Sequence, residues 1–368
     1  MKILHFIYDD PQNPWCGGGG AYRARVINER LVGDHSVAVV TGKFPGAQNE
    51  DINGVDYIRT GSSLSYPASR TSFTFLAPFY MRKPCDIVVV DFSAYAPCFA
   101  SLFTGKPVIY IMHHSIESHS LSAHPLMGFP ATISEKIFLR LARNIITPSE
   151  ALKDRIVTGY PGKNVIAIPN GVSEKIFKLI PKEEEYILFL GRIDIYMKGL
   201  DILINAFKEV DAKGILLKIA GGGEPGSMDM LRDMVHKHHL GKHVKILGRV
   251  SDEEKLKLLK DCLFLVMPSR FEGWGITALE ANAAGKPVIG TKIPGLSEAV
   301  IDEQTAVLVE PEDAKELTRQ MNLLLHDRAK RVKLGSAGRE RARRFAWKTI
   351  ALQQFGFYRS VLDHRPAP

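Results

Sequence analysis

Two glutamates, Glu272 and Glu280, bracket a glycine-bearing run, Pro268-Ser269-Arg270-Phe271-Glu272-Gly273-Trp274-Gly275-Ile276-Thr277-Ala278-Leu279-Glu280-Ala281. The run follows an apolar strand ending at Met267 and leads into a helix whose first turn contains Gly275, Ile276 and Thr277. Unpaired backbone N–H groups and the positive end of a helix dipole make such a turn a phosphate site, and glycine lets a ligand approach the main chain. A carboxylate beside a phosphate is repulsive unless it bonds something else, and sugar hydroxyls are suitable donors for it. The plain alternative is that Glu272 is a solvated loop acid and Glu280 a surface acid.

A second group follows another strand, Leu190-Gly191-Arg192-Ile193-Asp194-Ile195-Tyr196-Met197-Lys198-Gly199. Arg192 and Lys198 there could converge on a departing diphosphate, because preorganised cations stabilise charge as it develops. Near the N-terminus, Cys16-Gly17-Gly18-Gly19-Gly20 lies between a strand and a helix and permits close approach to an anion. It lacks the spaced dinucleotide fingerprint as a true pattern, and a flexible linker is the competing account. His113 and His114 end the strand Val108 to Met112. Adjacent histidines on a strand point to opposite faces, so one is expected to face a ligand and a metal pair is not favoured. The chain contains no Asp-x-Asp triplet, so nothing suggests a divalent metal bridging a diphosphate.

These loops need strands to carry them. Short apolar, β-branched runs alternate with helix-length stretches throughout, as expected of parallel strands buried on both faces. Strands are expected near Lys2 to Tyr8, Ser36 to Thr41, Val55 to Arg59, Asp86 to Asp91, Val108 to Met112, Asn144 to Thr147 and Val165 to Ile168. They recur near Tyr186 to Leu190, Ile215 to Ala220, Val244 to Leu247, Leu263 to Met267, Val288 to Gly290 and Ala306 to Val309. Two doubly wound α/β units follow, with the boundary near Asn170 to Lys182. Ligands of such sheets sit outside the carboxyl ends of the strands, which leads to the expectation of a cleft between two facing sheets.

The composition, 368 residues with 45% hydrophobic and 24% charged, is that of an ordinary globular protein. Cys16, Cys85, Cys98 and Cys262 show no paired short spacing, which argues against a zinc site or disulfide framework and for a reducing, cytoplasmic compartment. No apolar run approaches the about 18 residues that span a bilayer, and acids at Asp9 and Asp10 come too early for a signal peptide. The formal charge of +8 is uneven, with nine Lys or Arg against two acids between Asp327 and Lys348. That run is either a solvated helix face or a patch for peripheral contact with an anionic membrane at its inner face. It has few interleaved aromatics, so no nucleic-acid partner is expected.

The sequence resembles the large retaining glycosyltransferase family 4, or glycosyl transferases group 1. The family's acidic E-x7-E motif is matched by Glu272 and Glu280, and its Gly-Arg followed by Lys-Gly by Gly191, Arg192, Lys198 and Gly199. The similarity is dense from Pro169-Asn170-Gly171-Val172 through Phe345-Ala346-Trp347, including Gly285-Lys286-Pro287-Val288, and thin before it. The resemblance implies a GT-B fold, two Rossmann-like parallel-sheet domains facing a central cleft. Residues 1–172 would form the acceptor-side domain, with a C-terminal helix of about 349–368 packing back on it, and 173–348 the donor-binding domain. By the same resemblance Arg192 and Lys198 bind the donor diphosphate, Glu280 the ribose and Glu272 a sugar hydroxyl. Backbone of Gly275, Ile276 and Thr277 meets phosphate or sugar, Arg249 and Val250 flank the base, Gly17 and Gly18 approach the phosphate, and His113 lies near the transferred sugar. The implied activity is retaining hexosyl transfer from a nucleotide diphosphate sugar, UDP-hexose or GDP-mannose, to a sugar or lipid-linked acceptor of cell-surface polysaccharide synthesis. No cofactor and no divalent metal are implied. Acceptor contacts are expected from Ser72 to Met81 and His119 to Phe129. A nucleotide-sugar epimerase of the same fold and a noncatalytic sugar-nucleotide-binding subunit are the alternatives.

Overall fold

Alternation along single strands explains why the sheets are covered on both faces. In Tyr186–Leu190, Ile187 and Phe189 join one hydrophobic cluster while Tyr186, Leu188 and Leu190 join another. A strand with successive side chains on opposite faces reads as a continuous apolar run only when helices cover both sides. The computed structural model describes residues 1–15, 18–93, 99–115, 125–211 and 214–363. The chain divides into two compact units, Met1–Asn170 with Trp347–Pro368, and Gly171–Ala346.

The first unit holds an eight-stranded sheet built from β1 (Lys2–Phe6), β2 (Ser36–Gly42), β3 (Glu50–Ile52), β4 (Val55–Thr60), β5 (Ile87–Asp91), β6 (Val108–Ile111), β7 (Asn144–Thr147) and β8 (Asn164–Ala167), in the order β3-β4-β2-β1-β5-β6-β7-β8. Every pairing is parallel except β3 with β4. The edge strand β3 was not expected from the sequence. Its signal is the dipeptide Asn53-Gly54, both residues with positive φ, which is the backbone of a tight hairpin turn. The second unit holds β9 (Tyr186–Leu190), β10 (Leu216–Ala220), β11 (Val244–Gly248), β12 (Leu265–Met267), β13 (Val288–Thr291) and β14 (Ala306–Val309), all parallel, in the order β11-β10-β9-β12-β13-β14. The expected pair of doubly wound parallel sheets is therefore present.

Each order reverses direction once. In the first sheet the chain moves outward from β1 to β2 and β4, then returns to place β5 on the other side of β1. In the second it moves from β9 to β10 and β11, then returns to β12 beside β9. Loops leaving the carboxyl ends on either side of such a switch point diverge and leave a crevice.

The C-terminal helix Trp347–Asp363 belongs to the first unit. Its buried positions are Trp347, Ile350, Ala351, Gln354, Phe357, Tyr358 and Val361, a stripe with three- and four-residue spacing. Leu352, apolar but off this stripe, is 65% exposed. A polar residue, Gln354, lies in the stripe because it answers a buried cation. The Arg23 guanidinium donates to Gln354 Oε1 at 2.7 Å, to the carbonyls of Ile168 and Pro169 at 2.9 and 3.0 Å, and to Asn170 Oδ1 at 3.0 Å. Gln354 donates in turn to the Tyr358 hydroxyl at 2.6 Å. Burial lowers the Arg23 pKa to about 10, partly offset by the negative charge of Asp91.

Candidate functional site

In the second unit the loops after β9 and β12, the two strands at its switch point, are tied together by Arg270. Its guanidinium donates to both Asp201 carboxylate oxygens at 2.8 Å each, to Glu312, and to the Tyr196 carbonyl at 2.7 Å, while its backbone N–H reaches the Met197 carbonyl at 3.0 Å. Hydrogen bonding to Asp201 leads the effects that raise its pKa further. Asp194 shapes the first loop by accepting from the Met197 N–H at 2.9 Å and, through its carbonyl, from the Lys198 N–H at 3.1 Å. Lys198 is thereby presented beside the second loop. Its Nζ lies 2.5 Å from Glu272 Oε1, which also accepts from the Ser269 hydroxyl at 2.9 Å.

Two helices begin at these loops, and both start on a glycine. Gly199 (φ 62°) precedes Leu200–Phe207 and Gly275 (φ 81°) precedes Ile276–Ala283, neither with a side-chain cap. A Cβ on Gly199 would overlap the Pro268 carbonyl, and one on Gly275 would stand 2.8 Å from Leu296 Cδ1. Left-handed backbone and close approach together require glycine at both. At the second helix the N–H groups of Ile276 and Thr277 consequently meet no capping side chain and are available to an anion, whereas at the first the Leu200 N–H is taken by the Ile195 carbonyl at 3.0 Å.

Glu280 lies one turn further along the second helix and is only 5% exposed. Its Oε1 accepts from Lys255 Nζ at 2.9 Å. Arg192 is placed differently. Its side chain is 67% exposed and reaches Asp194 Oδ2 at 3.4 Å, so no buried partner holds it. Arg249 follows β11 and is exposed, its Nε 3.4 Å from where a Cβ on Gly222 would stand; Val250 is half-buried beside it. The structure thus joins Lys198 to Glu272 and Glu280 to Lys255, and leaves Arg192 and Arg249 at the surface of the same set of strand ends.

At the switch point of the first unit, β5 ends in Asp91. One carboxylate oxygen accepts from His5 Nε2 on β1 and the other from His113 Nε2 just beyond β6. The other His5 nitrogen meets the Asn28 side chain at 2.9 Å. Burial pushes the Asp91 carboxyl up, but the charges of His5 and His113 and their hydrogen bonds outweigh it and hold the group well below the usual carboxylate range. His113 remains partly exposed and its ring packs on Gly20, where a Cβ would stand 3.0 Å from Nε2. Gly20 belongs to the helix Gly19–Leu31, which Gly18 precedes without a side-chain cap. Gly17, a candidate for phosphate approach, lies outside the described residues, as does most of His119 to Phe129.

Sequence reasoning missed Asp91, His5, Lys255 and the clamp role of Arg270. Asp91 had a signal, an acid closing an otherwise apolar strand. Lys255 had a weaker one, a cation near the start of a helix whose first turn carries Asp252, Glu253 and Glu254. The basic run also reads differently once folded. Arg331 is buried against Glu183 at 2.9 Å, Arg339 donates to the carbonyls of Phe177 and Leu179, and Arg341 donates to that of Glu298 at 2.8 Å. Much of this charge fastens the last helices to the rest of their own unit.

Two family models match the chain: glycosyl transferases group 1 over residues 173–341 and glycosyltransferase family 4 over residues 17–175. An uncharacterised glycosyltransferase of Methanocaldococcus jannaschii is 30% identical over 324 residues, covering 86% of each chain. A glycogen synthase of Mycobacterium tuberculosis is 32% identical over 226 residues, 59% of this chain and 54% of that one. Among solved structures, sucrose-phosphate synthase from Thermosynechococcus elongatus superposes with a TM-score of 0.85 at 22% identity, covering 99% of this chain and 100% of that one. Anabaena HepE in complex with UDP-glucose gives 0.77 at 19% identity, covering 98% and 100%.

Proposed function

The chain belongs to the glycosyl transferases group 1 family and has the GT-B fold, and from that premise we propose that it is a retaining hexosyltransferase using a nucleotide diphosphate sugar. The observation that carries the reading is the second unit's switch point, where an uncapped helix start, Lys198 paired with Glu272, and Glu280 come together. The diphosphate takes the N–H groups of the Ile276–Ala283 helix and the cations Arg192 and Lys198. An ammonium has three protons, so Lys198 can keep Glu272 and still donate to phosphate. Glu272 holds a sugar hydroxyl, Glu280 the ribose, and Arg249 and Val250 border the base. The first unit is assigned the acceptor side.

Transfer proceeds on the front face. The acceptor oxygen bonds the anomeric carbon on the side from which the diphosphate leaves, and the departing diphosphate oxygen takes the acceptor's proton. Arg192, Lys198 and the helix dipole stabilise the charge that grows on the leaving group, with no divalent metal required. HepE, a fold relative, is described with UDP-glucose, which makes a UDP-sugar the first donor to test. The acceptor is proposed to be a glycan or lipid-linked intermediate of cell-surface polysaccharide synthesis. No described helix is long and apolar enough to cross a membrane, and the protein is proposed to be cytoplasmic, acting at the inner membrane face.

The test is a transfer assay with UDP- and GDP-sugars and lipid-linked or oligosaccharide acceptors, the product's anomeric configuration read by NMR. Product that retains the donor's configuration supports the reading. Conversion of the nucleotide sugar to an epimer without acceptor overturns it.

A further inference from the structure

Lys255 occupies the fourth position of the helix Asp252–Asp261, close to the positive end of its dipole, where a cation is disfavoured. Three acids and a Ser251–Glu254 capping box satisfy that helix start without it. Its ammonium stands 3.9 Å from Asp252 Oδ1 and, closer, donates to Glu280 Oε1 at 2.9 Å on the neighbouring helix Ile276–Ala283. A polar group as covered as the Glu280 side chain is costly to leave without a hydrogen-bond partner. The contact uses Oε1 and so restricts the carboxylate's rotation, with Oε2 assigned to the ligand.

We propose that Lys255 is a positioning residue for nucleotide recognition, holding the Glu280 carboxylate oriented so that it reads the ribose hydroxyls of the bound nucleotide. This rests on the assignment of Glu280 to the ribose. Lys255 touches neither the sugar being transferred nor the diphosphate in this account. It acts through Glu280, and its loss weakens nucleotide binding and ribose discrimination more than turnover.

The experiment uses the full chain and calorimetric binding of UDP, GDP and ADP, carrying forward whichever binds most tightly together with its 2′,3′-dideoxy analogue. Wild type should prefer the ribonucleotide by about tenfold or more, the scale of one charge-assisted hydrogen bond. Lys255→Met should bind the ribonucleotide about tenfold more weakly and lose most of that preference, while Lys255→Arg restores it. With donor and acceptor, Lys255→Met should raise the donor KM with kcat within about threefold, a split that a general loss of fold would not give. Thermal melting of each variant checks folding, and Lys255→Arg serves where the methionine variant melts early. Wild-type discrimination retained in full by Lys255→Met overturns the proposal and leaves the ribose assignment standing. Wild type that binds both analogues equally removes the ribose assignment, and the proposal with it.

Discussion

Asp91 shows how one buried residue can set the chemistry of another. With its two oxygens engaged by His5 and His113, it fixes the His113 ring and directs Nε2 inward, leaving Nδ1 for other partners. A carboxyl held below its unfolded pKa contributes stability that is complete above the unfolded value, near pH 4, and lost as pH falls toward the folded one. The stability gap between wild type and Asp91→Asn, measured by urea unfolding, should therefore be larger at pH 5 than at pH 3; equal gaps would mean that Asp91 is not held ionised. Arg192 makes the opposite prediction. Exposed and without a buried partner, it can be replaced by alanine at a cost within about 0.5 kcal/mol, yet transfer should slow about 10² to 10³-fold if it stabilises the leaving diphosphate. Unchanged turnover with donor and acceptor would remove Arg192 from the mechanism. Arg192, Lys198, Glu272 and Glu280 could be picked out from the sequence because each pair shares one loop or one loop and its helix. The pairing of Asp91 with His5 could not, since they are 86 positions apart and meet only because the sheet places β1 beside β5.

Helix starts differ in their caps, and the helices that follow Glu224 and Gly295 lack a side-chain cap as well. Ser65, Ser149 and Ser251 cap their helices with side-chain oxygens, whereas the helices after β1, β9 and β12, the strands beside the switch points, start on Gly18, Gly199 and Gly275 with no side-chain cap. A glycine there gives up only about a few tenths of a kcal/mol relative to a Ser or Asp cap, and it brings no side-chain acceptor of its own to compete with a ligand. Gly199→Ala should destabilise the protein by about 2 kcal/mol or more, because both its φ of 62° and the Pro268 carbonyl oppose a Cβ. Gly356→Ala, inside the C-terminal helix with nothing within 4 Å of a new Cβ, should stabilise by about 0.5 to 1 kcal/mol. Melting curves of the two variants check both, and a shared sign would contradict the argument. The parallel strands were readable because they are apolar on both faces; β3 was not, being three residues of Glu-Asp-Ile at an exposed edge.

For the molecule as a whole, the chain leaves the first unit after Asn170 and returns at Trp347, and Arg23 binds both sides of that excursion. It holds Ile168, Pro169 and Asn170 before the departure and Gln354 after the return. Gln354→Leu leaves a buried guanidinium short of an acceptor and should lower stability by about 1 to 3 kcal/mol, seen as an earlier melt; an unchanged melt would show that the link does not matter. Sequence pattern could not reveal this knot, because a glutamine in an apolar stripe looks like an interruption until its partner is known. The central claim, that the second unit binds a nucleotide sugar at its switch point, is tested most directly by adding UDP-, GDP- and ADP-sugars to the intact protein and following its melting temperature. One class at about 100 times its Kd should stabilise wild type by about 2.7 kcal/mol and stabilise Glu280→Gln clearly less. No stabilisation by any of them, or equal stabilisation of the variant, would contradict the account.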